Sequence, residues 1–133
     1  MVTAEFALSN EFSGAPTLIH GGVSLAVLDE AMAWACIAIG RQWAVTSETT
    51  TRFDRAVYID KPHLVEAEII EQNDIEIVTT ARILDLKRRI RAESRATFTV
   101  LGEAQLKRAA GETGATIDPS MHLGATPQRD PST

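Results

Sequence analysis

A long apolar segment near the start of the sequence contains two adjacent carboxylates at its centre. The segment is IHGGVSLAVLDEAMAWACIAIG, residues 19–40, with Asp29 and Glu30 in the middle. Its length and composition predict one helix, from about Gly22 to Ile39, that is apolar nearly all round. Such a helix needs other structure packed on most of its sides, and a carboxylate on it needs a specific role or partner. This segment therefore constrains both the fold and the function.

A membrane span is the alternative interpretation of this helix. A spanning helix takes about 20 apolar residues, and a charge at its centre costs about 2.5 to 3.5 kcal/mol. Here two carboxylates are adjacent, and strand patterns occupy much of the remaining chain. We therefore expect the core helix of a soluble protein, with no membrane partner.

The composition indicates one globular domain. The chain has 133 residues, of which 44% are hydrophobic and 23% charged. The formal net charge of -5 disfavours nucleic acid as a partner. Cys36 is the single cysteine, so neither an intrachain disulfide nor a cysteine metal cluster can form. The first residues lack the pattern of a secretory signal, and we expect a cytoplasmic location.

Strand patterns lie on both sides of the helix. Residues 4–12 predict a first strand, followed by a loop rich in Gly and Pro. After the helix, alternating β-branched and polar residues predict an antiparallel meander of four strands, within residues 43–59, 63–72, 75–86 and 90–101. A short helix is expected at Glu103–Ala109. This order predicts an α+β fold, in which an antiparallel sheet wraps around one long apolar helix.

The composition changes near residue 111. The last segment, GETGATIDPSMHLGATPQRDPST, is rich in Gly, Pro, Ser and Thr and has no apolar period. We therefore predict one domain at residues 1–110 and a flexible tail at residues 111–133.

The start of the helix resembles the hotdog-fold acyl-CoA thioesterases, in the branch that includes phenylacetate-pathway thioesterases. The similarity rests on His20-Gly21-Gly22, with Asp29 nine positions after the histidine. F-x-G-x-P at residues 12–16 and VTSETTTRFDRAV also resemble the family, although many members have Pro at the position of Ala56. The resemblance covers roughly residues 4–101. It implies the hotdog fold and hydrolysis of an acyl-CoA thioester to a free acid and coenzyme A.

The resemblance also implies site residues at matching positions. Asp29 corresponds to the catalytic carboxylate, acting as nucleophile or as general base, and Gly21 to the backbone N–H that polarises the thioester carbonyl. Thr46, with Ser47 as the weaker alternative, corresponds to a hydroxyl residue found in some members. Several members carry Asn or Gln six residues before the histidine, where this chain has Gly14. The contribution of that side chain is here absent or supplied otherwise.

The residue types suit this chemistry. Thioester hydrolysis needs a group that attacks or activates water, and a donor for the developing oxyanion. A helix N-terminus offers N–H donors, and Gly21 and Gly22 leave the backbone accessible to a substrate. Gly21 and Asp29 are about 12 Å apart along a helix, yet both must reach one reacting centre. We therefore predict a homodimer whose antiparallel helices exchange these residues, or a tetramer of such dimers.

Other residues have two interpretations each. His20 either contacts substrate or is a hydrogen-bonded loop histidine that fixes the turn. Trp34 and Trp43 line an acyl pocket or belong to the core. A basic set either holds the phosphates of coenzyme A or forms a solvated turn and sheet face; its members are Arg52, Arg55, Lys61, Lys87, Arg88, Arg89, Arg91 and Arg95.

Three further residues are assigned no chemistry. Cys36 is expected to pack in the core, and His63 and His122 have no catalytic partner in the sequence. No metal and no cofactor are predicted.

Three rival functions remain open from the sequence. One is a non-catalytic module that binds acyl-CoA or another small ligand on the same fold, since fold alone does not settle function. Another is a hotdog hydratase or dehydratase, although those enzymes pair a catalytic histidine with an acidic residue in a different arrangement. The third is a structural partner protein that uses the tail.

Overall fold

The computed structural model describes residues 1–109 and Gly111. His122 and nearly all of the predicted tail lie outside the described residues, so the domain boundary stays a prediction. The elements in chain order are β1 (Val2–Phe6), a 3-10 turn (Asn10–Phe12), β2 (Ser13–Ala15), β3 (Leu18–Ile19), α1 (Gly21–Ala38), β4 (Ala44–Phe53), β5 (His63–Gln72), β6 (Glu76–Leu84), β7 (Ile90–Val100) and α2 (Glu103–Ala109).

Helix α1 confirms the prediction to within one residue at each end. After its last turn, the Gly40 N–H donates to the Ala35 carbonyl oxygen at 3.0 Å. A Cβ on Gly40 would lie only 2.7 Å from the Cys36 carbonyl oxygen. The close approach of the backbone therefore requires glycine at this stop.

The five long strands form one antiparallel sheet in the order β1-β5-β6-β7-β4. The α+β prediction, one long helix with an antiparallel sheet, is confirmed. The prediction of a four-strand meander is wrong, because only β5, β6 and β7 follow one another, whereas β4 pairs with β7 at the edge. Residues 54–62 cross from β4 to β5, and this connection is held by the Ile19 N–H donating to the Val57 carbonyl oxygen at 2.8 Å. It is longer than the common hairpin loops, which is the local sign of a crossover.

The N-terminal segment also differs from the expectation. The first strand covers Val2–Phe6 rather than residues 4–12, and its last predicted residues form the 3-10 turn. The Gly- and Pro-rich segment, expected as a loop, contains the small hairpin of β2 and β3. This hairpin leads the chain directly into α1.

The core lies between α1 and one face of the sheet. Leu28, Met32 and Cys36 on the helix are fully buried, as are Ile83 and Phe98 on the strands. Burying a side chain of the size of Leu or Met contributes about 1.5 to 3 kcal/mol each. By length and composition α1 passes as a membrane span, but in this fold its buried face packs on the sheet. Helix α1 is thus the core helix of this fold.

Candidate active site

The start of α1 is capped by His20. This residue has extended backbone angles, and its Nδ1 accepts a hydrogen bond from the Gly22 N–H at 2.9 Å. The N–H groups of Val23 and Ser24 donate to the His20 carbonyl oxygen. Within residues 1–109 and Gly111, the Gly21 N–H has no acceptor. One donor at the positive end of the helix is therefore available to a ligand.

The geometry of His20 fits a residue that fixes the turn. Because Nδ1 accepts a hydrogen bond, the neutral ring carries its proton on Nε2. Gly14 of the β2–β3 hairpin lies against it, since a Cβ at position 14 would be 3.1 Å from the His20 Cα. Position 14 therefore lies directly beside this histidine.

Asp29 receives a hydrogen bond from strand β4. The Thr46 hydroxyl donates to Oδ1 of Asp29 at 2.6 Å, a length typical of a hydroxyl bonded to a carboxylate. Asp29 is only partly buried and Thr46 is exposed. The bond thus orients a carboxylate that remains open to solvent.

A shift in strand register selects Thr46 for this contact. Thr46 pairs with Phe98 and Glu48 pairs with Thr97, so Ser47 is an extra residue in β4, as in a β-bulge. The Ser47 hydroxyl bonds the Thr99 hydroxyl, on the sheet face opposite α1. Of the two hydroxyls that the sequence offered, the structure brings Thr46 to Asp29 and turns Ser47 away.

Asp29 and the free Gly21 N–H lie on one continuous helix. Eight residues separate them, which corresponds to about 12 Å along the axis. The fold of a single chain therefore does not bring these two groups to one reacting centre.

Four of the eight residues of the basic set are engaged in ion pairs with carboxylates. Oε1 of Glu66 accepts from Arg88 at 2.8 Å, and Arg52 pairs with Glu93. Oδ2 of Asp85 accepts from Arg89 at 2.8 Å and from the buried Arg91 at 2.9 Å. Hydrogen bonds, first that of the Arg89 N–H and then those of the two guanidinium groups, hold the pKa of Asp85 well below its ordinary value. These arginines stabilise the sheet and the β6–β7 turn.

Three other members of the set are positioned differently. Lys87 and Arg55 are exposed and contact no carboxylate among the described residues, and Arg55 donates to the Ile90 carbonyl oxygen at 2.7 Å. Lys61 lies over the Tyr58 ring, 5.3 Å from its centroid. All three lie at the end of the sheet where α1 begins, because β4 ends there at Phe53, beside Gly21.

A family model described as "Thioesterase superfamily" matches residues 17–92, more than half of the chain and including both Gly21 and Asp29. The chain belongs to the thioesterase superfamily. A search of curated proteins finds no match.

Solved structures of thioesterase-superfamily proteins share the fold. A hypothetical thioesterase from Streptococcus pneumoniae TIGR4, solved with coenzyme A, has a TM-score of 0.71 at 19% identity over 75% of this chain and 77% of its own. The E. coli PaaI protein of the phenylacetic acid degradation operon has a TM-score of 0.70 at 22% identity over 75% and 72%. The thioesterase superfamily protein RHA08564 reaches 0.67 at 22% identity over 73%, but this chain covers only 47% of that protein. The predicted hotdog fold is confirmed.

Two residues of this thioesterase-superfamily chain that the sequence left without chemistry lie in the core. Burial raises the pKa of the Cys36 thiol to about 12, which opposes formation of a nucleophilic thiolate. His63 is buried, its Nδ1 lies 2.9 Å from the Lys61 carbonyl oxygen, and its ring stacks on Phe6. Burial lowers the pKa of His63. Both environments are those of packed side chains.

The side chains that surround the candidate site were not predicted from the sequence. Phe53 lies beside Gly21, with its ring 3.8 Å from where a Cβ would be, and it is 52% exposed. Thr49 and Thr51 face the same side as Thr46 and each bond the buried Ser94 hydroxyl at 2.9 Å. The run of threonines in β4 is visible in the sequence, but the register that turns them toward the helix is not.

Proposed function

We propose that this protein is an acyl-CoA thioesterase, hydrolysing R–CO–S–CoA to the free acid and coenzyme A. The observation that carries the proposal is the Thr46–Asp29 hydrogen bond of 2.6 Å. It orients a solvent-accessible carboxylate on a helix whose first N–H is also available. Membership of the thioesterase superfamily supports this reaction class.

The mechanism uses Asp29 and Gly21 at opposite sides of the thioester. The Gly21 N–H donates to the carbonyl oxygen and stabilises the negative charge that develops there. Asp29 either attacks the carbonyl carbon or takes a proton from the attacking water. If Asp29 acts as general base, the C–S bond then breaks and the proton taken from water passes to the thiolate of coenzyme A. If Asp29 is the nucleophile, breaking of the C–S bond leaves a mixed anhydride; water hydrolyses it to the free acid and the Asp29 carboxylate, and the proton released from water goes to the thiolate. Thr46 positions the carboxylate, and His20 and Gly22 hold the helix start in place.

The proposed active unit is a homodimer with two shared sites, alone or within a tetramer. The roughly 12 Å between Gly21 and Asp29 along one helix requires the second group to come from another chain. Ala33, one turn after Asp29 and only partly buried, is small enough for a second helix to approach closely. The outer edge of β4 has no strand pairing among the described residues.

Coenzyme A is proposed to bind at the end of the sheet where α1 begins. The streptococcal structure was solved with coenzyme A. Lys87 and Arg55 are cations at that end, and neither contacts a carboxylate within residues 1–109 and Gly111. Arg52, Arg88, Arg89 and Arg91 are already held by carboxylates, so we assign them to the fold. The proposed location is the cytoplasm.

The test is thiol release from a panel of short-chain, long-chain and aromatic acyl-CoAs by the purified protein. We expect turnover of at least one thioester well above the rate without protein. Tight acyl-CoA binding without any turnover would instead indicate the non-catalytic binding module. That alternative is consistent with Gly14, which lacks the amide side chain that several family members carry at this position. Hydration of crotonyl-CoA, followed at its enoyl absorbance, would indicate the hydratase.

Replacing Thr46 tests the positioning of the carboxylate. Thr46→Val keeps the shape but removes the hydroxyl, and we expect kcat/KM to fall about 10- to 100-fold, since a hydrogen bond to a charged group contributes about 1.5 to 3 kcal/mol. Thr46→Ser keeps the hydroxyl and serves as the matched control, with a loss below about threefold. If the Val and Ser variants are equally active, and circular dichroism shows that both are folded, the Thr46 hydroxyl has no role in the mechanism.

Mixed dimers test whether the sites are shared. One chain carries Asp29→Asn, the other carries Gly21→Pro, and tags on the two chains allow the mixed dimer to be purified. If the residues are exchanged, one of the two sites is intact, and we expect about half of the wild-type activity. If each chain builds its own site, both sites are damaged and the mixed dimer is as inactive as either parent.

A further inference from the structure

An apolar groove of about 820 Å³ lies between α1 and the edge strand β1. The helix contributes Val23, Val27, Trp34 and Ala38 to its lining. The strand contributes the residues that alternate toward the helix, among them Phe6. These pair with buried positions of β5, which places them on the helix side of the sheet. The groove is therefore lined mainly by apolar side chains. Its volume lies in the range of pockets that bind small ligands.

The groove begins next to the candidate site. Val23 follows Gly21 by two residues, about 3 Å along the helix axis. Ala26, which is exposed, forms part of the lining and lies one turn before Asp29. A thioester carbonyl held by the Gly21 N–H would thus have its acyl group next to the near end of the groove.

The length and charge of the groove narrow the identity of its occupant. From Val23 to Ala38 it follows the helix for about 22 Å, enough for an extended long acyl chain. Glu5 and Glu30 also border it. These carboxylates disfavour an acyl group that ends in its own carboxylate. They also disfavour a second copy of the chain seated across the groove, since that would bring like charges together.

We propose that this groove binds the acyl group, and that the substrates are coenzyme A thioesters of long, uncharged acyl chains. The proposal rests on the thioesterase function proposed above. It assigns Trp34 to the acyl site, one of the two interpretations that the sequence left open, and it gives Glu30 a role in excluding acidic acyl groups.

The first experiment shortens the groove at its far end with Ala38→Trp. We expect the ratio of kcat/KM for palmitoyl-CoA to that for hexanoyl-CoA to fall at least about tenfold, because each buried methylene contributes about fourfold, equivalent to about 0.8 kcal/mol. Ala104→Trp, the same replacement at an exposed position of α2, is the matched control and should leave the ratio at the wild-type value.

Each outcome separates this proposal from the thioesterase function. If Ala38→Trp keeps its turnover and its ratio is unchanged, the groove does not bind the acyl group, but the proposed thioesterase reaction stands. A change in oligomer mass in Ala38→Trp, measured by light scattering, shows that the groove joins two copies and also overturns it. If the wild type turns over no thioester, calorimetric titration decides. Binding that tightens with chain length and is lost in Ala38→Trp supports the groove, and binding independent of chain length overturns it.

The charge at the rim has its own test. Wild-type protein should prefer decanoyl-CoA over the coenzyme A thioester of decanedioic acid, which has the same chain length but a terminal carboxylate. Such a chain is long enough to extend from Gly21 toward Glu30, about 13 Å further along the helix. Glu30→Gln should raise relative use of the diacid thioester about fivefold, since two carboxylates 4 Å apart in water repel by about 1 kcal/mol. If the preference is the same in Glu30→Gln as in the wild type, Glu30 does not contribute to substrate specificity.

Discussion

Asp29→Asn is expected to lower kcat for the best acyl-CoA by about 10³-fold or more while leaving the protein folded, because the amide neither attacks a thioester nor takes a proton from water. Asn has the shape of Asp and can still accept the hydrogen bond from Thr46, so the fold should tolerate it. The measurement is thiol release under saturating substrate, with thermal unfolding followed by circular dichroism.

The matched control is Asp74→Asn. Asp74 is an exposed carboxylate in the β5–β6 turn, away from the candidate site, and its replacement should leave turnover within about twofold of wild type, as usual for surface substitutions. An active Asp29→Asn variant would exclude the carboxylate from the chemistry. The hydrogen bond from Thr46 would then be a structural contact between α1 and β4.

Gly21→Pro is expected to lower kcat about 10²- to 10³-fold, the effect of removing one oxyanion donor. Proline lacks the N–H but suits this position, because Gly21 is the first residue of α1. The preceding His20 has φ of -60° and ψ of 135°, in the region that a residue before proline prefers. The change therefore removes the donor with little cost to the helix.

Gly21→Ala is the control for side-chain bulk. Among the residues that the structure describes, a Cβ at this position meets the Phe53 ring, at an ordinary contact distance of 3.8 Å. The alanine variant keeps the N–H, so it should retain most of the activity. If alanine and proline reduce kcat equally, the effect is steric, and the Gly21 N–H does not hold the oxyanion.

The sequence determined α1 closely because its signals are local. The apolar run, the histidine-glycine start and the Gly40 stop all act within a few residues of the helix ends. The place of β4 in the sheet was predicted wrongly because strand pairing depends on contacts distant in the sequence. The connection of residues 54–62 is longer than a common hairpin loop, but its length does not specify the strand with which β4 pairs.

The candidate site was predictable in part for the same reason. Asp29 and Gly21 were identified from one helical segment together with a family resemblance. The choice between Thr46 and Ser47 depended on the register of β4 against β7. Arg91 looked like a phosphate ligand in the sequence, but its pairing with Asp85 across the β6–β7 turn engages it in the fold. The groove along β1 has no local signal, since it forms only where strand and helix meet.

The extra residue in β4 determines which face of the sheet carries the Thr46 hydroxyl. Between Thr46 and Thr49 the chain has one residue more than its partner strand, so both side chains lie on the helix side although their numbers differ by an odd step. A homologue with a β4 of the same length but regular pairing here would keep Thr49, Thr51 and Phe53 in place and would turn the residue at position 46 to the other face of the sheet. Loss of the bulge without loss of a residue would therefore remove the hydroxyl from the helix side, whereas deletion of Ser47 would leave Thr46 opposite Phe98.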